Sequence, residues 1–233
     1  MEIRYSALRL DGDAQVEADA ARDTFWELPP GAESDDAVFD KQMWVQTVMY
    51  RWGICGYTAY VSTGDVGSGE RAAASVFFAP PSYFPGSLAM PSGPVSGDAI
   101  LISNVFVDQP YMGLYLEHSL IDTVVTEAER RGVVAVEAFG RNDADTPEGS
   151  YFPEGYHGWE ERPHSGDLEG APVLSADILE QQGFEIIGKH PRFPRYRKDL
   201  NSAASLFSDF EADTHALLNN SAPLSTVLGG QWA

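Results

Sequence analysis

Two short stretches of this chain hold residues whose types and spacing suit chemistry. The first surrounds Gly113, in Gln109-Pro110-Tyr111-Met112-Gly113-Leu114-Tyr115-Leu116-Glu117, where an apolar strand pattern hands over to a helical one. The first N–H groups of a helix lack carbonyl partners and lie at the positive end of its dipole, so a turn of this kind can hold a phosphate or another anion. The second is Glu137, set among valines and alanines in Val133-Val134-Ala135-Val136-Glu137-Ala138-Phe139-Gly140. A carboxylate half-withdrawn from water has its pKa raised toward neutrality, which suits a general base; it can equally be a structural carboxylate. Asn104, on the strand before the turn, is a polar group able to position a reactant. Tyr115 and Tyr111 are the hydroxyls closest in sequence to the turn and the candidate proton donors. His118, on the same helix, is open to a structural or a catalytic role.

The elements that must position these residues run from Ala99 to Gly140. An Ile-, Val- and Phe-rich strand (99–107) passes through Gln109-Pro110 into a helix, and the chain returns as a second valine-rich strand, giving one βαβ unit. Leu120, Ile121, Val124, Val125 and Ala128 recur at three- and four-residue spacing and form the apolar face of that helix. Gly132 ends it, after Arg130 and Arg131 in its last turn.

Around this unit the chain reads in order. A strand covers Ile3 to Ala7, a first helix spans Asp13 to Glu27, and a second opens at Glu33-Ser34-Asp35-Asp36 and runs to Gly53. Trp26, Phe39 and Trp44 on these helices can be core or can line an acceptor site. Ile54–Val61 and Arg71–Pro80 form an antiparallel pair. The Gly- and Ser-rich stretch 62–69 between them is a hairpin loop, because no helix follows it to make a phosphate site. Pro80 to Gly97 is too rich in Pro, Gly and Ser for regular structure. Residues 141–172 form a long insert whose aromatics suit a lid over a cleft, and whose acidity suits a mobile insert. His157, Glu160, Glu161 and His164 lack the spacing of a metal site, so no metal is expected. Ser175 and Gly183 bracket a short helix, and one strand is expected to run from Ile186 to Lys198 past Pro194. Five of the fifteen Lys and Arg residues fall between Lys189 and Lys198, either as an anion site or as internal partners for carboxylates.

The totals exclude several classes. With 35 acidic against 15 basic residues and a net charge of −20, the surface repels nucleic-acid phosphates and anionic membranes and attracts cations such as amines. One cysteine, Cys55, cannot make an internal disulfide. No secretory leader or membrane-length apolar run is present, so the expectation is a cytoplasmic protein. Residues 1–200 read as one domain. Residues 201–233 read as a partly helical C-terminal extension that could pack on the domain or on a second copy, which leaves a homodimer open.

This order of pieces resembles the GNAT superfamily of N-acetyltransferases. Val105-Phe106-Val107-Asp108 matches the end of that family's fourth strand, and Tyr111-Met112-Gly113 matches the start of its Arg-Gly-x-Gly-x-Gly/Ala turn. Leu120-Ile121 matches the helix core, and Gly183-Phe184 the later helix-to-strand junction. Ala79-Pro80-Pro81-Ser82-Tyr83, Pro94 to Ala99 and His190 to Pro194 resemble patterns shared by a group of bacterial members of unassigned substrate. The resemblance implies an α/β GNAT fold, with a mixed sheet of about six or seven strands flanked by helices. It implies an acetyl-CoA site at Val105, Phe106, Val107, Met112, Gly113, Leu114, Tyr115, Leu116 and Glu117, with an oxyanion donor among the backbone N–H groups of 104–107. For such a transfer to a small amine or a protein amine, the candidates in this chain are Glu137 as base, Asn104 as positioner and Tyr115 or Tyr111 as acid. The chain departs from the pattern at Met112 for Arg, Tyr115 for Gly, Glu117 for a small residue, and Leu179 where a tyrosine acid is usual. A ring at 115 and a like charge at 117 both oppose a pyrophosphate. Two readings follow: a CoA-dependent N-acyltransferase, or a protein of that fold whose lapsed cofactor site leaves it a non-catalytic interaction module.

Overall fold

The structure is a computed structural model and describes residues 1–9, 16–62, 69–142 and 168–200. Its elements in order are β1 (Glu2–Ala7), α1 (Ala37–Trp52), β2 (Gly56–Ser62), β3 (Arg71–Ala79), β4 (Ala99–Val107), α2 (Leu116–Arg130), β5 (Ala135–Arg141), β6 (Leu174–Ser175), α3 (Ala176–Gln181), β7 (Glu185–Gly188) and β8 (Arg195–Asp199). They build one eight-stranded sheet in the order β1-β2-β3-β4-β5-β8-β7, with β6 paired to β5 off that path. Neighbours are antiparallel except β4 with β5 and β5 with β6, which are parallel. A parallel pair requires a crossover, and α2 supplies it.

Each face of the sheet carries its own apolar layer, because successive side chains of a strand point to opposite sides. Ile100, Ile102 and Val105 of β4 and Val136 and Ala138 of β5 pack with Leu116, Leu120, Ile121, Val124 and Ala128 of α2 and with Leu179 of α3. On the other face Leu101, Phe106, Phe77 and Phe139 pack with Trp44 and Val48 of α1 and with Trp26. The predicted end of α2 is observed. Gly132 has φ +69°, and its N–H donates to the Glu129 carbonyl.

α1 is bounded as its sequence suggests. The Asp36 carboxylate accepts from the Phe39 N–H at its start, and left-handed Gly53 closes its end. Its facing is unusual: it buries Lys41 together with Trp44 and Val48, while Phe39, Met43 and Tyr50 point to solvent. Lys41 is tolerated inside because its Nζ lies 2.6 Å from Glu27 Oε1 and 4.4 Å from the Phe77 ring centroid.

Two expectations need correction. Over the described part of 13–27 there is no helix; residues 18–22 and 25–27 form turns. Acidic side chains there bond the backbone instead: Glu17 accepts from the N–H groups of Asp19 and Ala20, and Asp23 from that of Phe25. The stretch 186–198 is not one strand. β7 and β8 pair antiparallel through a turn at 189–194, where Pro191 and Pro194 lack the N–H a continuous strand would use. The expected mixed sheet is observed, with eight strands when the two-residue β6 is counted. The loop at 62–69 except its ends, the insert from 143 to 167 with its candidate lid and histidines, and residues 201–233 lie outside the described residues. Among the described residues no helix is long and apolar enough to cross a membrane.

Candidate active site

The site begins where two parallel strands part. β4 pairs with β5 from Ala99↔Ala135 to Ile102↔Ala138 and no further, although β4 continues to Val107 and β5 to Arg141. A bulge in β4 coincides with the parting. Val76↔Val105 and Phe78↔Ile102 leave Ser103 and Asn104 together opposite Phe77. A bulge bends and twists its strand, which turns β4 away from β5 and re-aims the residues within it. Ser103 is tied down, its hydroxyl donating to the Phe77 carbonyl at 3.2 Å. Asn104 is half-buried, and its carboxamide has no hydrogen-bond partner among the described residues. On the far side, Gly140 and Arg141 of β5 pair with Leu174 and Ser175 of β6. The opposite edge of β5 is held by β8, so β6 takes the edge that β4 has vacated. The result is a slot walled by Ser103 to Val107 on one side and by β6 and the start of α3 on the other.

At the mouth of the slot lies the turn into α2. Gly113 has φ +81° and Tyr115 φ +54°, so both take the left-handed conformation, the second at a side-chain-bearing residue. A Cβ normally disfavours that region, and a glycine-type backbone is thus preserved here without the glycine. The Tyr115 ring is 70% exposed and stands edge-on to His118, with ring centroids 5.6 Å apart, so it projects outward and does not fill the turn. No backbone carbonyl of the described residues accepts from the N–H groups of Leu116, Glu117 or His118. Leu116 is fully buried, while Met112 and Leu114 are half-buried. Val105 and Phe106 pack into opposite faces of the sheet, and Val107 lies against the α2 side. These residues therefore offer the turn backbone rather than side chains. Glu117 is 7% exposed on the first turn of α2, a carboxylate at the end of the helix that favours anions.

Glu137 is elsewhere engaged. It is fully buried, and both of its carboxylate oxygens are taken: Oε2 by the Arg195 guanidinium and the Ser96 N–H, Oε1 by Arg197 at 3.1 Å. Arg197 also meets Asp98 at 2.9 Å and Asp199 at 2.7 Å, which holds its guanidinium well above the usual arginine range, and the Asp98 carboxyl below its own. Arg195 further donates to the Ser92 carbonyl. The basic concentration at 189–198 supplies these partners, and Lys198 donates to the Gln182 carbonyl at 2.7 Å. Glu137 thus anchors an ion cluster at the paired end of β4 and β5, which is the structural role and not that of a free base.

Of the other candidates, Trp26 and Trp44 are core. Each indole N–H donates to a carbonyl, of Pro172 and Tyr83 respectively, while Phe39 points to solvent. Leu179, at the position where the resemblance implies a tyrosine acid, is fully buried, and neighbouring Tyr196 donates its hydroxyl to Glu180 at 2.9 Å. His118 Nε2 lies 3.1 Å from Gln181 Oε1, tying α2 to α3, and its Nδ1 is buried without a partner among the described residues. The buried Cys55 thiol is pushed up to about 12, chiefly by burial, so it is no nucleophile. Among the described residues no three His, Cys, Asp or Glu side chains gather to hold a metal.

One residue that sequence reasoning missed stands beside the site. Glu17 is 4% exposed, its N–H lies 3.0 Å from Ser75 Oγ, and Ser75 pairs with Phe106 of β4. Burial raises its carboxyl above the ordinary range, against two backbone hydrogen bonds that lower it, with Asp19 and Asp108 adding to the rise. Its sequence neighbours read as a helix face, so nothing local marked it.

No protein-family model matches this chain, and no curated protein matches it. Solved structures do. A candidate acetyltransferase from Acinetobacter baylyi ADP1 superposes with a TM-score of 0.51 at 12% identity, over 87% of this chain and 94% of its own. A chain of the NatC complex bound to Gag peptide and CoA is similar at a TM-score of 0.48 and 13% identity, over 86% of this chain and 100% of its own. A candidate acetyltransferase of Salmonella typhimurium, solved with acetyl-CoA, gives 0.48 and 13%, over 87% and 96%. The fold is therefore the one seen in the Acinetobacter baylyi structure, a mixed sheet flanked by helices. At these identities the likeness is one of fold.

Proposed function

We propose that this chain is a CoA-dependent N-acyltransferase acting on a small amine or a protein amine. The observation that supports this most is the parting of β4 from β5 beside a turn that keeps the left-handed backbone at Gly113 and Tyr115 and leads into the free N–H groups of α2. Those N–H groups are suited to the anionic part of acetyl-CoA. Bound there, acetyl-CoA would supply an activated thioester. In the transfer, the amine nitrogen bonds to the acyl carbon, the carbon–sulfur bond breaks, and the sulfur takes a proton. The residues of this chain do the rest. Asn104, unpartnered in the bulge, positions the reacting groups, and a backbone N–H of 104–107 serves the developing oxyanion. The amine reacts in its neutral form, having given its proton to water. A net charge of −20 favours cationic acceptors, and a cytoplasmic setting belongs to the same proposal.

Glu117 favours a second reading. A carboxylate already sits on the first turn of α2, and one unit charge about 4 Å from another is worth about 1 kcal/mol even in water. On that reading the site no longer takes the cofactor, and the fold acts as an interaction module. Calorimetric titration of acetyl-CoA into the full chain separates the two. Micromolar binding, made about fivefold tighter by Glu117→Gln, is expected of the enzyme. No binding at millimolar acetyl-CoA would overturn it.

A further inference from the structure

α1 presents an apolar stripe to solvent that nothing in the proposed reaction uses. Phe39, Met43 and Tyr50 are 55%, 44% and 89% exposed, while the opposite face holds Lys41, Trp44 and Val48. Positions 39, 43, 46 and 50 follow the four-three-four spacing of a seam that packs against another helix. The outward residues between Asp40 and Arg51 are Gln42, Met43, Gln46, Thr47 and Tyr50, none of them charged. That is notable on a chain of net charge −20, since two such molecules repel wherever their acidic surfaces meet.

The ends of the helix carry the opposite signs. Glu33 and Asp35 are exposed just before it and Arg51 is exposed in its last turn, and none of the three has a hydrogen-bond or ion-pair partner among the described residues. We infer that the outer face of α1 is a self-association surface, on which a second copy of this chain docks its own α1 antiparallel. A two-fold axis near the middle of the helix sets Phe39 of one copy against Tyr50 of the other, and Met43 against Gln46. It also brings Arg51 of each copy to the Glu33 and Asp35 end of the other, twice over. The antiparallel arrangement also opposes the two helix dipoles. A surface of one helix per copy is small, so the dimer forms and dissociates with concentration rather than being permanent.

Sedimentation velocity on the full chain, from roughly 1 to 200 µM, tests this. The mass should rise with concentration from 25.4 kDa toward twice that value. F39E/Y50E should stay at the lower mass throughout, with unchanged far-UV circular dichroism. R51E alone, and E33K/D35K alone, should each weaken association about tenfold, because each turns two attractive contacts into repulsive ones. An equimolar mixture of the two should regain association to within about threefold of the parent, since both end contacts are again of opposite sign. A parent chain that stays at the lower mass throughout, a dimer that survives F39E/Y50E, or a mixture that fails to regain association would each overturn the inference.

Discussion

Glu137→Gln is the substitution that discriminates most sharply between a base and a rivet. The side chain is 0% exposed, and its guanidinium partners Arg195 and Arg197 are only 12% and 15% exposed. Breaking a buried pair by removing one partner costs about 3–5 kcal/mol, because the remaining charge is left inside without compensation. Here the loss is shared. Arg197 keeps Asp98 and Asp199, and Arg195 keeps the Ser92 carbonyl and the Ser96 hydroxyl, so the lower end, about 3 kcal/mol, applies. For a domain of this size each kcal/mol moves Tm by roughly 2–4 °C, which gives a fall of about 6–12 °C. Thermal unfolding followed by circular dichroism reads this directly, and urea titration should show a lower midpoint with an unchanged slope. At a temperature where the variant is fully folded, acetyl-CoA binding should match the parent. A variant that melts within about 2 °C of the parent yet loses turnover would refute the reasoning and return Glu137 to catalysis.

Three further outcomes follow from features of the fold. Tyr115→Gly relieves a left-handed residue whose ring is mostly in water, and should raise stability by about 1 kcal/mol in chemical denaturation. Lys41→Met leaves Glu27 buried without its cation and should cost about 3 kcal/mol, whereas adding Glu27→Leu should recover most of the loss in the same assay. Glu127 is held down to about 2 chiefly by its hydrogen bond from Arg130, with Arg131 helping and burial opposing. Its native pKa lies below its unfolded one, so its contribution is complete above the ordinary carboxylate range and fades as pH falls from about 4.5 toward 2. Glu127→Gln should flatten that part of the stability–pH curve.

The central βαβ unit was legible because α2 has an unbroken apolar face and ends at Gly132, both local signals. The turn into α2 was legible in position, but its conformation was not. A tyrosine in place of glycine argued for a blocked turn, and only the backbone angles show the left-handed bend retained with the ring facing outward. The segment before α1 misled because its acidic and apolar residues have helical spacing, while Glu17 and Asp23 spend their carboxylates on the backbone. α1 misled in a different way. Spacing does not say which of two stripes faces inward, and the choice here follows from Glu27, fourteen residues upstream, reaching Lys41. Glu137 and the basic concentration were each visible and each had two readings. Joining them required the antiparallel pairing of β5 with β8, a contact sixty residues apart in sequence at Glu137 and Arg197. Glu17 carried no signal, since its burial is imposed by strands far along the chain.

The ion cluster lies where β4 and β5 are still paired, and the opening lies just beyond, so the two strands behave like the legs of a clothes-peg fastened at its spring. Their separation is held by the bulge in β4 and by β6 on the edge of β5. A molecule sliding between the legs should accordingly associate in a single fast phase, with no slow rearrangement preceding or following it.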